Sequence, residues 1–559
     1  MVRAIFAVLT GLTVTMGSYL HADDKNRETS RSIFFKEVAL QSGISFQFDS
    51  GSRGKHDLPE IMGGGVAIFD ADGDGLLDVY LCNGGPIDAT AGKPDAPCRL
   101  FRNRGGWKFE DVTGRAAAPG PSYSMGAAAG DFDGDGRMDL FVTGWRDQRL
   151  YRNAGNCRFE DVTGPAGLQS SLWSTSAAFA DLDGDGDLDL YVANYLDYDA
   201  KNPPYCSAPD GRRDYCGPED FAAQPDRLYR NNGNGTFTDV SAGAGIDLAE
   251  GRGLGVLIAE LTGDDRPDIY VANDGSRCWL FANQGDLQFK EIGERAGVAR
   301  DGHGRAIAGM GAGAADLDGD GLCELVVTNF LHRSTIAFQP LADGVGTYRD
   351  VSRELGLAGA TGDVLGFGLA LVDFDGDGRV DLMQTNGHVL DRDRLGEPFA
   401  MRPTLLRNAG GTFQGIGDRA GPWFARTILG RGLAVGDLDR DSRPDVVVNS
   451  VDAPAAVLRN VAEGNHFLAV DVVDRAGRPA VGARVEVRAG GRRHASLVAA
   501  GGSYLASSPA RLFVGLGAAK AVERIEVTWP WGLTETWTPQ SPPERGALRI
   551  EQGSGHRKN

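Results

Sequence analysis

The sequence predicts an all-β protein: a seven-bladed β-propeller closed by an N-terminal strand, followed by a small β-sandwich-like domain. Three observations predict it. An acidic loop, D-x-D-x-D-G-x-x-D, recurs along the first four-fifths of the chain. Two strand-like signatures follow most of its copies. The C-terminal part lacks the loop and shows alternating apolar runs instead.

The loop reads Asp70, Asp72, Asp74, Gly75, Asp78; Asp131, Asp133, Asp135, Gly136, Asp139; and Asp181, Asp183, Asp185, Gly186, Asp189. It returns as Asp316, Asp318, Asp320, Gly321, Glu324 and as Asp373, Asp375, Asp377, Gly378, Asp381. A sixth copy is Asp437, Asp439, Asp441, Asp445, with Ser442 in the glycine position. So many carboxylates at close spacing are costly unless a cation holds them. A chain wrapping one ion turns alternate side chains inward, which places acids at positions 1, 3 and 5. Glycine at 6 takes a backbone geometry that a Cβ resists, and position 7 offers a carbonyl. This is the front half of an EF-hand-type calcium loop. The last acid sits at position 9 rather than 12, and strand-forming runs follow it, such as Asp189-Leu-Tyr-Val and Asp445-Val-Val-Val. The expectation is therefore about six structural Ca2+ sites on a non-EF-hand fold, each of weak affinity, on the order of 0.1 to 1 mM.

The second signature ends in Arg-Asn: Leu100-Phe-Arg-Asn103, Leu150-Tyr-Arg-Asn153, Leu228-Tyr-Arg-Asn231, Leu405-Leu-Arg-Asn408 and Val457-Leu-Arg-Asn460, with Leu280-Phe-Ala-Asn283 as a variant. The third is Phe-x-Asp-Val, at Phe109, Phe159 and Phe237, with looser copies at Phe289, Tyr348 and Phe413. The loops begin at 70, 131, 181, 316, 373 and 437, and one gap is more than twice as wide as the others. A decayed copy fills that gap: Glu260, Thr262, Asp264, Asp268, with Asp265 in the glycine position. It is expected to bind calcium poorly or not at all. Seven units result, each the size of a four-stranded propeller blade. The seventh lacks its Phe-x-Asp-Val strand, and the N-terminus carries a spare one, Phe35-Lys-Glu-Val38. Residues near 33 to 40 are thus expected to complete the last blade, which leaves no long sheet edge open.

The chain has 559 residues, 80 of them glycine, and a net charge of −19. The loops account for the acidity, and without a basic patch nucleic-acid binding is not expected. Residues 1–22 read as a signal peptide: Arg3, an apolar run from Ala4 to Met16, and Ala22 at a possible cleavage end. With it removed, no other segment is expected to span a membrane, and the product is expected to be secreted, periplasmic or on the cell surface; the alternative is that this run stays as a membrane anchor, for which it is short. Of seven cysteines, Cys206/Cys216 and Cys82/Cys98 bracket short loops and are candidate disulfides in an exported protein. Cys157, Cys278 and Cys323 read as small apolar residues. Tyr195 to Pro225 is an insertion in the third unit, either a functional loop or surface decoration.

After Asn460 the texture changes. Phe467-Leu-Ala-Val-Asp-Val-Val, Ala483-Arg-Val-Glu-Val-Arg and Val522-Glu-Arg-Ile-Glu-Val-Thr-Trp529 alternate as half-buried strands. The acidic loops with their two strand signatures resemble FG-GAP/VCBS repeats of integrin-α-like propellers, expected over 33–460. The tail, 466–552, resembles an ASPIC/UnbV domain through Asn465-His-Phe-Leu468, Val481-Gly-Ala-Arg-Val485, Gly501-Gly-Ser-Tyr-Leu505, Arg511-Leu-Phe-Val-Gly-Leu-Gly517 and Val527-Thr-Trp-Pro530. Trp531 departs from the small polar residue usual there. The pairing resembles the cartilage acidic protein family and implies an exported calcium-binding protein with no defined reaction.

No G-x-S-x-G, H-E-x-x-H or P-loop pattern occurs. His388 and His332 lie beside the loop-bearing strands, either as site residues or as hydrogen-bonded structural histidines. Two functions stay open. The preferred one is a non-catalytic binding or adhesion module for a protein or glycan. The other is a calcium-dependent carbohydrate-active enzyme, such as a polysaccharide lyase.

Overall fold

The apolar run after each acidic loop forms the second strand of a four-stranded antiparallel sheet, and the strand before the loop forms the first. A computed structural model describes residues 33–87, 96–341, 346–539 and 547–558. The expected signal peptide lies outside them. In the second unit the order is Ser124–Gly130, Asp139–Gly144, Gln148–Asn153 and Phe159–Asp161, each strand paired to the next. Among the described residues this arrangement recurs seven times.

Burial falls from the first strand to the fourth, and the sequence follows it. First strands such as Ser174–Ala180 and Gly430–Gly436 are buried throughout and built mostly from Gly, Ala, Ser and aliphatic residues, with Thr175, Phe179 and Arg431 as the larger or polar exceptions. Second strands are buried on both faces. The Leu-Tyr-Arg-Asn strand buries its apolar pair and its Asn while its Arg faces out, and the fourth strand buries only its leading aromatic.

Phe35–Glu37 pairs antiparallel with Ala456–Asn460, taking the fourth place in the seventh sheet. Phe35 packs edge-on against Phe374 of the sixth unit at 5.4 Å, much as Phe237 packs against Phe132 of its preceding unit at 5.8 Å. Each first strand touches the first strands of the units before and after it, and Gly430–Gly436 of the seventh touches Val66–Phe69 of the first.

The C-terminal segment forms two sheets. One holds His466–Val473, Arg511–Gly517 and Leu548–Glu551; the other is built on Arg484–Ala489 and Arg524–Thr528. Leu468, Val470, Val485, Val487, Ile525 and Trp529 fill the space between them.

From this domain a loop, 500–508, enters the centre of the repeats. It hydrogen-bonds to the first strand of every unit. Leu505 O accepts from Val66 N, Ser507 Oγ from Ala129 N, and Ser176 Oγ from Leu505 N. Gly502 N donates to Val256 O, Ser503 N to Ala312 O, and Ser503 Oγ to Leu433 O while it accepts from Leu369 N. Beyond these, Tyr504 Oη donates to Met62 O at 2.8 Å and its ring lies 4.9 Å from Phe367. Fully buried Arg431 stacks on the same Phe367 at 3.9 Å. Its guanidinium donates to Ile61 O and Gly430 O, and burial lowers its pKa to about 10. The close fit explains two glycines that are not in turns. A Cβ on Gly126 would lie 3.2 Å from Leu505 Cα, and one on Gly311 would lie 2.3 Å from Phe367 O and 3.2 Å from Ser503 C.

Candidate metal centres

Each acidic loop is a tight turn organised by its first carboxylate. Asp70 Oδ1 accepts from Gly73 N and its Oδ2 from Gly75 N, both at 2.8 Å. Asp373 accepts from Gly376 and Gly378 at 2.7 and 2.6 Å, and Asp437 accepts from Asp441 and Ser442 at 2.9 Å. Position 6 has a left-handed φ, +82° at Gly75 and +85° at Gly136, and also +68° at Ser442 and +65° at Asp265. The turn therefore keeps its shape where the glycine is missing, at some strain cost.

The turn brings the acids together. One oxygen from each of Asp70, Asp72 and Asp74 lies within 4.8 Å of the other two, as do those of Asp181, Asp183 and Asp185, and those of Asp131, Asp133 and Asp139. Asp72 Oδ1, Asp439 Oδ1 and Glu324 Oε1 are buried without a hydrogen-bond partner. Unpaired buried oxygens of this kind suit a hard divalent cation. Arginines supply part of the charge balance: Arg102 pairs with Asp72 and Asp74, Arg407 with Asp375 and Asp377 at 2.6 Å, and Arg459 with Asp439 at 3.1 Å. These are the arginines of the Arg-Asn signature, so that signature belongs to the loop as well as to the strand.

The acid at position 9 does something the spacing did not disclose. Asp139 Oδ1 accepts from Asn153 N at 2.7 Å and Oδ2 from Phe132 N at 3.1 Å. The same pair of bonds recurs at Asp78, Asp189, Asp381 and Asp445, while Glu324 keeps the bond to the loop. This carboxylate ties the loop to the third strand. Burial raises its pKa to about 7 at Asp78 and to about 8 at Asp139, Asp189 and Glu324. A cation beside these groups would oppose that rise.

The Asn of Arg-Asn is a second residue whose role was hidden. Asn153 Nδ2 donates to Ala71 O in the first unit's loop, Asn231 to Phe132 O, Asn283 to Leu182 O, Asn408 to Leu317 O and Asn460 to Phe374 O. Asn103 reaches Leu438 O of the seventh unit. Each unit is thus stapled to the loop of the unit before it. The fifth unit has Pro340 in place of the Asn, and there Tyr348 Oη takes over, donating to Leu261 O at 2.6 Å. That explains why Tyr replaces Phe in this copy of the third signature.

The decayed loop keeps the position-9 acid: Asp268 accepts from Leu261, Thr262 and Asn283 N, each at 2.9 Å. Its other acids face arginines. Asp264 pairs with Arg266, and Glu260 and Asp265 pair with Arg484 of the C-terminal domain. Trp531, the departure noted in the tail, donates its backbone N–H to Asp265 O. The loop is a docking point for the C-terminal domain. Asn465, through Asp375 O, and Arg492, through Asp377 O, dock it on the sixth loop in the same way.

The two histidines do not join this constellation. His332 is exposed on a turn. His388 is 1% exposed, its Nδ1 accepts from Leu390 N, and Phe330 packs edge-on against it. Burial lowers its pKa to about 4, with Arg392 and Arg431 adding to the effect and Glu397 opposing it. The unfolded chain therefore takes up this proton near pH 6.5 while the folded one refuses it until about pH 4. The stability so contributed is whole above pH 6.5 and is lost as pH falls towards 4, about 3 kcal/mol in total. Subtracting the denaturant stability of His388→Gln from that of the parent between pH 7 and 4 should give a difference that shrinks in that direction. A flat difference counts against it.

Cys206 and Cys216 form a disulfide. Cys82 and Cys98 do not: they remain buried thiols, and Cys98 Sγ is held by Asn83 N and Ser124 Oγ. Those hydrogen bonds give the pair a stable thiol arrangement that bracketing a loop did not reveal.

Comparison with known families places this geometry. FG-GAP-like repeats match residues 70–142, 131–192, 209–271 and 260–327, the last beginning at the decayed loop. The ASPIC and UnbV family matches 474–556. Human cartilage acidic protein 1 is 28% identical over 305 residues, 53% of this chain and 43% of the relative. The mouse protein is 31% identical over 175 residues, 29% of this chain and 25% of the relative. The chain thus spans well under half the length of these relatives. Among solved structures, a lectin of Agrocybe aegerita described as recognising non-reducing terminal N-acetylglucosamine is 19% identical, with 70% of this chain and 86% of that one covered and a TM-score of 0.38. A rhamnogalacturonan lyase of Bacillus licheniformis is 13% identical, with 83% and 91% covered and a TM-score of 0.31. At such scores neither carries a functional argument. The repeats and the tail together decide the identity: this chain is an FG-GAP-like repeat protein with a C-terminal ASPIC and UnbV domain, similar to cartilage acidic protein 1.

Proposed function

We propose that the chain is an exported, calcium-binding, seven-bladed propeller that acts as a non-catalytic binding module for a protein or glycan. Residues 33–460 form the ring, closed by Phe35–Glu37, and 466–552 form the domain that holds it. Ring closure is supported by the staple from Asn103 to Leu438 O and by the loop 500–508, which reaches every first strand. Calcium at the six fuller loops is supported by the clustered acids and their unpaired buried oxygens. A disulfide at Cys206–Cys216 fits an oxidising compartment.

The observation that carries a binding role lies at the other end of the strands from the acidic loops. There the insertion is braced: Asp214 pairs with Arg392 at 2.9 Å, Asp210 with Arg394 at 2.5 Å, and Tyr215 Oη donates to Glu60. Asp197, Tyr198 and Gln224 of the insertion and Trp145 and Arg146 of the second unit line a cavity of about 320 Å³. Trp145 Nε1 is buried there without a partner, and Arg146 lies 5.9 Å from the indole. An aromatic wall with charged and amide groups around it is suited to a sugar ring or a polar peptide. Screening the parent on glycan and protein arrays tests this. A hit should weaken at least 10-fold in Trp145→Ala while the variant stays folded; binding untouched by that change rejects this face as the site.

A further inference from the structure

We propose that the first acidic loop is a mixed carboxylate–thiolate site for a borderline divalent cation of the zinc class, held by Asp72, Asp78 and Cys157. One ligand atom from each of these residues lies within 4.8 Å of the other two. Cys157 and Asp78 are 0% exposed, and the Asp72 side chain is 3% exposed. Asp72 divides its oxygens: one pairs with Arg102, and Oδ1 is buried with no partner.

Cys157 comes from the second unit, at a left-handed turn position (φ +54°) between Asn153 and Phe159. In the first unit the corresponding residue is Trp107 (φ +60°), and its Nε1 donates to Asp439 Oδ2, position 3 of the seventh loop, at 2.6 Å. In the fourth unit it is Leu287 (φ +53°), buried in an apolar cluster that includes Leu182 of the third loop. In the first and second units this turn residue thus meets position 3 of a neighbouring loop, and its chemistry bears on that loop's character. A leucine adds no donor, and an indole N–H occupies one oxygen of the carboxylate and leaves Asp439 Oδ1 unpaired. A thiol adds a soft donor, which calcium does not use and zinc prefers.

The three proposed ligands, two carboxylates and a thiolate, carry three negative charges, which the ion and Arg102 offset, while Asp70 and Asp74 of the same loop lie beside them and Asp74 shares Arg102. Binding releases the thiol proton to solvent as the metal–sulfur bond forms.

Cobalt(II) as a spectroscopic probe tests this on the full chain stripped with chelator. A near-ultraviolet thiolate-to-cobalt charge-transfer band should grow to one equivalent and be displaced by Zn2+. It should vanish in Cys157→Ser and Cys157→Ala and persist in Cys323→Ser. Zinc-edge absorption of the zinc-loaded parent should show one sulfur neighbour. Saturating cobalt without a band, a band that survives in folded Cys157→Ser, or an all-oxygen zinc shell overturns the proposal. Calcium uptake by the Asp181 and Asp316 loops is scored in the same samples, so the calcium reading stands or falls separately.

Discussion

Replacing Tyr504 with alanine should lower the stability of the chain by about 3–5 kcal/mol, the usual effect of removing a large buried aromatic side chain. Tyr504 is 0% exposed, its hydroxyl donates to Met62 O, and its ring packs edge-on with Phe367, over which Arg431 stacks. The substitution leaves a cavity on the axis of the repeats. It also loosens a loop whose neighbours Ser503 and Leu505 already hold left-handed φ values of +61° and +53°. Tyr504→Phe keeps the ring and forfeits only the hydroxyl bond, about 1 kcal/mol. Urea unfolding followed by tryptophan fluorescence measures both. A change of under about 0.5 kcal/mol in Tyr504→Ala, within the usual range of surface substitutions, would show that the loop rests on the repeats without holding them.

The second large effect separates the two jobs of the acidic loops. Asp268→Ala removes the acceptor for three buried backbone N–H groups in a loop that holds no calcium on this account. At about 1–3 kcal/mol for each orphaned group, a loss of at least 3 kcal/mol is expected, equal in calcium and in chelator. Asp133→Ala is the complement. Its one backbone bond, from Asp135 N, is 3.3 Å long and exposed, so the protein does little with this carboxylate. Its removal should lower the melting temperature in calcium and leave it unchanged in chelator. Thermal unfolding of both variants under both conditions gives four numbers. Equal calcium dependence in the two variants contradicts the division of labour.

The repeats were legible because their determinants are local. An acid at position 1 with glycine at 6 encodes a turn by itself, and Phe35 could be assigned to the seventh unit because that unit lacked the same short pattern. Roles that act between units were not legible. Asn153 recurs visibly, yet its partner, Ala71 O, belongs to another unit. Tyr348 looked like a loose copy of Phe until Pro340 and Leu261 O showed which staple it replaces. Gly501 to Leu505 matched a family pattern, but one loop bonding to seven separate strands cannot be read from spacing. The same holds for Gly126 and Gly311, whose missing Cβ admits the neighbouring first strand together with that loop. Cys82 and Cys98 bracket a loop as a disulfide pair would, but their hydrogen-bond partners come from the fold.

Calcium-free protein titrated with calcium, with uptake counted per chain and melting temperature followed together, tests the central claim most directly. Binding confined to the folded state must stabilise it by mass action. The account predicts uptake at the six fuller loops, one fewer if zinc holds the first, with none at the Glu260 loop and a melting temperature that climbs with calcium. Stripped protein that melts at the same temperature and takes up no ion contradicts it.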